Sequence, residues 1–517
     1  MFDERNVIKK NPLKVNLRFA SVYPNVYRTA MSSLGYQIIY GMVNEREDSW
    51  CERIIYPNNR SMESNSPLKD FDIVSFTLHY EQDYFNLINL LKISEIPLRS
   101  KDRGDDHPLI IAGGPSVSSN PLPISEFIDL FIIGEAEAIL NEFLNKYQQL
   151  TNPKKEIDSF LDVDGIYIPD NAVKRVIVED MKNAYYTSNP VITETDNPEF
   201  MPVFGNSLLL NVSRGCVRGC RFCMSGYTCR PLRHAPFKTL IKIAKQFGEN
   251  TNLKKISLIG AAVSDYYKID ELTLKLLDMG FQVSTSSLRI ESTSHETLKN
   301  LKVGGLKTIT VAPESIYTLR KVLNKDIEDY KIEEFIKTAV NMDFNIKFYF
   351  LVGVINENFG DIKELSKYIK YIDSMKYNLD KKPSKIKFSV NPLIPKPHTP
   401  FQWTGYNFKD IKNKINCLKK DLKGVSIKFS SPKMGLVQYV LSCRGNEIAK
   451  LIEDTADNMR LNENYKMDLN QWKIYSKGYN LDDELPWKNV DFEIKKDFLK
   501  EEYANMNKPL MDGKKKI

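Results

Sequence analysis

The chain has 517 residues, 42% hydrophobic and 27% charged. That balance excludes a disordered or fibrous chain, and at roughly 100–200 residues per domain the length predicts about three domains. Lys and Arg number 73 against 66 Asp and Glu, and the net charge of +7 is too mild for a nucleic-acid signature.

The first segment alternates strands and helices. Apolar runs at Val15–Ala20, Arg53–Tyr56, Asp72–Leu78, Leu109–Ala112 and Leu130–Ile133 predict strands, with helical patterns at Leu34–Val43 and Tyr84–Leu91 between them. Five strands with intervening helices predict an α/β domain over residues 1–155, an open, doubly wound parallel sheet. Such sheets bind ligands beyond their strand C-termini. That rim would comprise the Arg28–Gly35 loop, Thr77–Tyr80, Gly113–Pro115 and Gly134–Glu137.

Residues 156–205 read as a Pro-punctuated linker with a short hairpin, Gly165–Pro169 then Val173–Val178. A second alternating series fills 206–405. Its strands are predicted at Ser207–Val212, Ile256–Gly260, Gln282–Ser286, Thr308–Val311, Ile346–Val352 and Ile386–Val390. Its helices are predicted at Phe237–Phe247, Ile269–Met279, Ser294–Leu301, Ile332–Met342 and Asp361–Ile372. Six βα units imply a partial (β/α)6 barrel, whose active residues sit at strand C-termini. Residues 406–517 form a small α+β C-terminal region. It would have a helix at Lys409–Leu422, a strand at Val425–Phe429, a helix from Gly435, and a solvated tail at 512–517.

No run of about 18 apolar residues occurs, so no transmembrane segment is expected. Met1-Phe-Asp-Glu-Arg5 lacks the apolar core of a signal peptide, and a cytoplasmic location is expected.

Seven cysteines, Cys51, Cys216, Cys220, Cys223, Cys229, Cys417 and Cys443, are too sparse for a disulfide framework. Cys216, Cys220 and Cys223 form a C-x3-C-x2-C pattern just after the first strand of the second series. Random placement would produce it about once in a thousand chains of this composition. Three close thiolates can wrap one side of an Fe–S cubane and leave its fourth iron open to a small molecule. Completed by Cys229 or His234, the same residues would make a structural zinc site, and with Cys229 a four-cysteine electron-transfer cluster. The βα series that follows favours an open catalytic cluster.

The motif, with Phe222 just before its third cysteine, resembles the radical S-adenosylmethionine (SAM) superfamily. The resemblance implies a [4Fe–4S] cluster on Cys216, Cys220 and Cys223, with SAM chelating the open iron and cleaved to a deoxyadenosyl radical. By position it also implies cofactor contacts at Phe222, at Gly260 and Ala261 after the second strand, at Ser287 and Arg289 after the third, at Glu314 after the fourth and at Gly353 after the fifth. Gly260-Ala-Ala262 departs from the commoner Gly-Gly-Glu and lacks its acid.

More narrowly, Tyr23-Pro-Asn-Val-Tyr27, Met31-Ser-Ser-Leu-Gly35, the Gly113-Gly-Pro to Gly134-Glu series, Asn391-Pro-Leu-Ile-Pro-Lys-Pro-His-Thr-Pro-Phe-Gln-Trp403 and Leu485-Pro-Trp487 resemble the cobalamin-binding-domain type of radical SAM enzyme. The first domain is then cobalamin-binding-like, and cobalamin is an implied cofactor. Its usual Asp-x-His-x-x-Gly cobalt-ligand motif is absent from the loop after strand one. The implied reaction is methyl transfer or C–C or C–S bond formation on an unknown substrate, driven by an external electron donor such as ferredoxin or flavodoxin. An alternative is a tRNA- or protein-modifying enzyme of methylthiotransferase type. That group carries further cluster cysteines in its N-terminal domain, where this chain has only Cys51.

Other residues carry weaker signals. His79 and His107 read as packed or surface histidines, His398 as part of a Pro-rich turn, Tyr84 and Phe85 as helix packing, and Cys443 as an ordinary thiol. Arg214, Arg218, Arg221, Arg230 and Arg233 around the motif would either offset cluster charge or be solvated.

Overall fold

Strands β1 (Leu17–Tyr23), β2 (Ser49–Ile55), β3 (Ile73–Thr77), β4 (Leu109–Gly113) and β5 (Leu130–Ile132) are buried along almost their whole length. Near-continuous burial is what a parallel sheet covered on both faces requires. The structure, a computed structural model, describes residues 3–376, 384–461 and 467–508, so the tail at 512–517 lies outside the described residues.

The sheet order is β2-β1-β3-β4-β5-β6, parallel except for β6 (Ile166–Tyr167), which runs antiparallel to β5. Helices α1 (Leu34–Glu45) and α3 (Ala136–Gln149) cover one face, packing Ile38, Val43, Ile139 and Phe143 on Phe19, Ile73 and Ile111. Helix α2 (Asp83–Ile93) covers the other, with Tyr84, Phe85, Leu87 and Leu91 in the cluster that holds Val22, Val74 and Ile110. Each large apolar side chain buried this way stabilises by about 1.5–3 kcal/mol. The doubly wound expectation therefore holds, with the order reversing between β1 and β3, where such sheets open their ligand crevice.

The expected hairpin does not form. Tyr167 and Ile166 pair with Phe131 and Ile132, whereas β7 (Val173–Lys174) pairs in parallel with β15 (Val490–Asp491) far along the chain. Two-residue strands gain too little from each other, and each instead joins a neighbour that buries it. The 156–205 stretch also carries Ile192–Glu194, which pairs antiparallel with Asp3–Arg5.

The second series builds β8 (Leu208–Asn211), β9 (Lys255–Ile259) and β10 (Gln282–Thr285) as one parallel sheet. A second comprises β11 (Thr308–Glu314), β12 (Asn345–Val352), β13 (Ile386–Pro392) and β14 (Ile427–Phe429), also parallel. Leu288 N–H donates to the Thr310 carbonyl at 3.0 Å and connects the two. Helices α4 (Phe237–Thr251), α5 (Ile269–Asp278), α6 (His295–Val303), α7 (Asp329–Asn341) and α8 (Phe359–Ser374) pack outside. β14, expected in the C-terminal region, instead extends the barrel sheet as a seventh strand, with Phe388 facing Ile427 in register.

Helices α9 (Phe408–Asp421), α10 (Pro432–Cys443), α11 (Ala449–Leu461) and α12 (Lys496–Asn507) follow. α11 lies on α2, where Lys92 pairs with Asp457 at 2.7 Å. Among the described residues no helix is long and apolar enough to cross a membrane.

Candidate active site

The cysteine loop leaves β8 at Asn211. A short ribbon, Ser213–Arg214 against Arg233–His234, closes its base. Gly215 has φ +81°, and a Cβ there would overlap the Pro231 carbonyl oxygen, so the turn needs glycine. Two donors hold the Gly219 carbonyl, Asn324 Nδ2 at 2.9 Å and Tyr227 Oη at 3.2 Å. Arg221 N–H donates to the Leu323 carbonyl at 3.0 Å, and its Nε donates to Glu502 on α12 at 2.8 Å.

Within this frame Cys220 is buried and Cys216 and Cys223 are half-buried. Burial pushes the Cys223 thiol up to about 11, and the fields of Cys220 and Cys216 act in the same direction, against the Gly226 amide and Lys325. The three sulfurs thus share one environment. Cys229 does not join them. Its neighbours are Thr228, Arg175, Glu135 and Arg233; burial raises its pKa, and its side chain lines a cavity on the other side of the loop base.

Of the expected cofactor contacts, Arg289 and, through Lys325, Glu314 are tied to this loop. Arg289 pairs with Glu291 at 2.6 Å and lies in the field of Cys220. Glu314 is 7% exposed, adopts φ +72° and accepts from Lys325 at 2.9 Å. A left-handed conformation in a non-glycine residue costs about 1–3 kcal/mol and marks a position over-determined by its surroundings. Ser287 and Ala261 are exposed at strand ends, Gly260 is half-buried beside Ser213, and Phe222 packs on the main core. Gly353 N–H donates to Glu357 at 2.8 Å.

Three participants escaped sequence reasoning. Asp265, in the turn after β9, pairs with Arg218 at 2.7 Å and supplies an acid near the place where Gly260-Ala-Ala262 lacks one. Lys325 and Asn324 follow a short helix with no motif. The arginines are mostly neither solvated nor idle: Arg214 and Arg233 pair with Glu135, Arg218 with Asp265 and Arg221 with Glu502, while Arg230 Nε donates to the Gly226 carbonyl.

A cavity of about 490 Å³ opens between the C-terminal rim of the N-terminal sheet and the base of the cysteine loop. Leu34, Ile38, Gly113, Gly134, Leu140 and Ile259 line it, with Cys229 and Arg214 from the loop side. Burial pushes Glu135 up, but the Arg233 hydrogen bonds and the Arg214 charge outweigh it and hold the carboxyl below its usual range. His79 lines the cavity, 3.4 Å from both Tyr23 Oη and Ser33 Oγ, and burial lowers its pKa. Two further histidines hydrogen-bond within the fold. His398 Nε2–H donates to the Ser119 carbonyl at 3.0 Å, and His107 Nδ1 accepts from Gly104 N–H at 3.2 Å. Cys443 is fully buried and donates to the Pro395 carbonyl at 3.4 Å.

Residues 210–369, which contain the whole cysteine loop and β9 to β12, match the radical SAM superfamily. Residues 35–169 match the N-terminal region of radical SAM proteins. The chain belongs to the radical SAM superfamily. It is therefore an enzyme of a superfamily that works through a [4Fe–4S] cluster and SAM.

The uncharacterized protein MJ0966 of Methanocaldococcus jannaschii is 29% identical over 489 residues, 92% of this chain and 99% of that one. The tRNA-2-methylthio-N(6)-dimethylallyladenosine synthase of Pelagibacter ubique is 23% identical over 201 residues, 35% of this chain and 44% of that enzyme. Among solved structures, the radical SAM methyltransferase TsrM from Kitasatospora setae, with cobalamin and a [4Fe–4S] cluster bound, superposes with a TM-score of 0.52 at 12% identity over 75% of this chain and 77% of that one. At that identity the likeness concerns the fold: an N-terminal sheet domain set on a radical SAM barrel.

The donor set fits a radical SAM cluster. Among the described residues no three His, Cys, Asp or Glu side chains converge on one point as ligands of a single ion do. A cubane asks for less, because each thiolate meets a different iron. Three thiols in one loop with the fourth cysteine turned away is the arrangement that leaves one iron open.

Proposed function

We propose that this radical SAM enzyme is a transferase acting on a carbon of its substrate, by methyl transfer or by C–C or C–S bond formation, with cobalamin in the crevice. The observation that carries the reading is that the base of the three-thiol loop, through Asn211, Arg214 and Cys229, itself lines the apolar crevice, beyond the C-terminal end of β8.

When bound, the cluster and SAM supply reductive cleavage of a sulfonium to a carbon radical, and cobalamin supplies a methyl carrier. The chain's residues do the rest. Cys216, Cys220 and Cys223 would hold three irons of the cluster as thiolates. Glu314 and Asp265, ion-paired with Lys325 and Arg218, would offer carboxylates to an ammonium, and Arg289, ion-paired with Glu291, a guanidinium to a carboxylate. Gly260, Ala261, Ser287 and Gly353, at strand ends, and Phe222, within the cysteine loop, would complete the rim. Gly113 and Gly134 leave the crevice wall without side chains, and Leu34, Ile38 and Leu140 make it apolar, which suits a flat macrocycle and excludes water. Asn211 and Arg214 close its floor. An external one-electron donor, ferredoxin or flavodoxin, completes the requirement for reduction.

The methylthiotransferase reading needs further cluster cysteines in the N-terminal segment. Cys51, the one cysteine there, is fully buried within β2.

Anaerobic reconstitution with iron, sulfide and hydroxocobalamin tests the proposal. About four irons per chain, corrinoid retained through gel filtration, and SAM turnover to both deoxyadenosine and S-adenosylhomocysteine are expected. A cluster-loaded protein that makes deoxyadenosine alone and never retains corrinoid would contradict it.

A further inference from the structure

Strand β12 alternates half-buried Asn345, Lys347, Tyr349 and Leu351 with buried Ile346, Phe348, Phe350 and Val352. The buried set faces outward: Phe350 meets Tyr368 of α8 at 6.4 Å between ring centroids, and Phe348 stacks on Phe388 at 5.7 Å. Successive strand side chains point to opposite faces, so Lys347 and Tyr349 point into the barrel. Register carries the same face onto the neighbouring strands. Lys347 stands opposite Lys387 on β13, and Ser389 stands opposite Lys428 on β14. Phe429, beside Lys428, faces Lys419 of the outer helix α9, which turns Lys428 inward.

Three lysines on adjacent strands therefore line the interior. Two of them, Lys347 and Lys387, sit directly opposite each other, a pairing of like charge that destabilises a sheet. None of the three pairs with a carboxylate among the described residues; Lys347 Nζ instead donates to Tyr349 Oη at 2.6 Å. The other inward positions at this level are Leu209 and three hydroxyls, Thr310, Ser257 and Ser284, the last two 2.9 Å apart. β14 and β8 are the edge strands of the two barrel sheets and do not pair, so Lys428 stands beside the lateral opening. Asn211 and Ile259, at the top of the same inward face, line the crevice cavity, so the interior and the crevice meet.

We propose that the barrel interior binds a small organic substrate carrying at least two negative charges, a phosphomonoester or a dicarboxylate, through Lys347, Lys387 and Lys428, with Tyr349 as a hydrogen-bond donor to it. This rests on the reading of the chain as a radical SAM transferase and adds the substrate class. An anion seated there relieves the repulsion between the lysines. It also holds the rest of the molecule toward the strand C-termini, where the cluster loop stands.

Isothermal titration of the full chain with inorganic phosphate, and separately with glutarate, tests it. The wild type should bind at least one of them, and the stronger ligand names the class. K428E and the K347M/K387M double variant should each weaken that binding at least tenfold, with K347R restoring most of it. Unchanged circular dichroism establishes that the variants fold; Lys387 and Lys428 are exposed, so their removal leaves the core intact. No heat with either anion, equal affinity in the variants, or a salt-like response to chloride as strong as to phosphate would overturn the proposal. Deoxyadenosine formation by the reconstituted wild type, measured separately, judges the underlying reading.

Discussion

Arg233 grips Glu135 with a fork. Nη2 donates to Oε1 at 2.8 Å and Nη1 to Oε2 at 3.0 Å, while Arg214 reaches the same carboxylate at 3.0 Å. Glu135 belongs to the rim of the N-terminal sheet, and both arginines form the base of the cysteine loop, so this contact fixes the crevice between them. Bidentate guanidinium–carboxylate pairs specify geometry as well as energy. Removing the carboxylate leaves two guanidiniums mostly out of water. E135Q is expected to cost about 2–3 kcal/mol, below the full range for a buried pair because Glu135 keeps some exposure. A double-mutant cycle with R233M should show the two changes to be strongly non-additive in urea unfolding.

Cys229 separates an open cluster from a closed one. It lines the crevice, which Cys216, Cys220 and Cys223 do not, and its electrostatic neighbours are Thr228, Arg175, Glu135 and Arg233. C229A should keep the full iron content after anaerobic reconstitution, whereas C220A should lose the cluster. Iron and sulfide analysis with the visible absorption near the charge-transfer bands checks both; loss of iron in C229A would point to a four-ligand centre.

The crevice wall tolerates no side chain at Gly134. That residue has φ +142°, and a Cβ would overlap the Val176 carbonyl oxygen. G134A is expected to destabilise by more than about 1 kcal/mol, since the backbone itself must move. It should weaken corrinoid retention along with stability. Thermal unfolding and gel filtration with hydroxocobalamin provide the two readings.

Acid should weaken the contact between the Pro-rich loop and the N-terminal domain. Burial lowers the pKa of His398 to about 4, the Ser119 carbonyl notwithstanding, and Phe492 and Trp487 surround its ring. The folded-state value is depressed below the unfolded one near 6.5, so the unfolded chain binds the proton more readily. The stabilisation is complete above about pH 6.5 and declines as the pH falls toward 4. Between pH 7 and pH 5 it should lose about 2 kcal/mol. H398N, which cannot take up the proton, should show a flatter pH dependence of its unfolding midpoint over that interval.

Much of this was legible in the sequence for identifiable reasons. Strands β1 to β5 and β8 to β13 are apolar runs between turn residues, and the three cysteines are fixed by a spacing that chance rarely makes. β6, β7 and β14 were misplaced because strands of two or three residues carry almost no periodicity, and their partners lie far away in sequence. Asp265, Asn324 and Lys325 gave no signal, being single polar residues in turns whose meaning comes from what the fold brings beside them. Cys229 was ambiguous in sequence because six residues from Cys223 permits either direction; the ribbon at the loop base decides it. The lysines of the barrel interior were hidden in strands read by their apolar half.

The proposed chemistry needs an iron left open by three thiolates. Electron paramagnetic resonance of the reduced, reconstituted wild type with and without SAM measures that directly. A [4Fe–4S]⁺ signal whose g values shift when SAM is added is expected, with the same shift in C229A. A cluster signal that SAM leaves unchanged would contradict it.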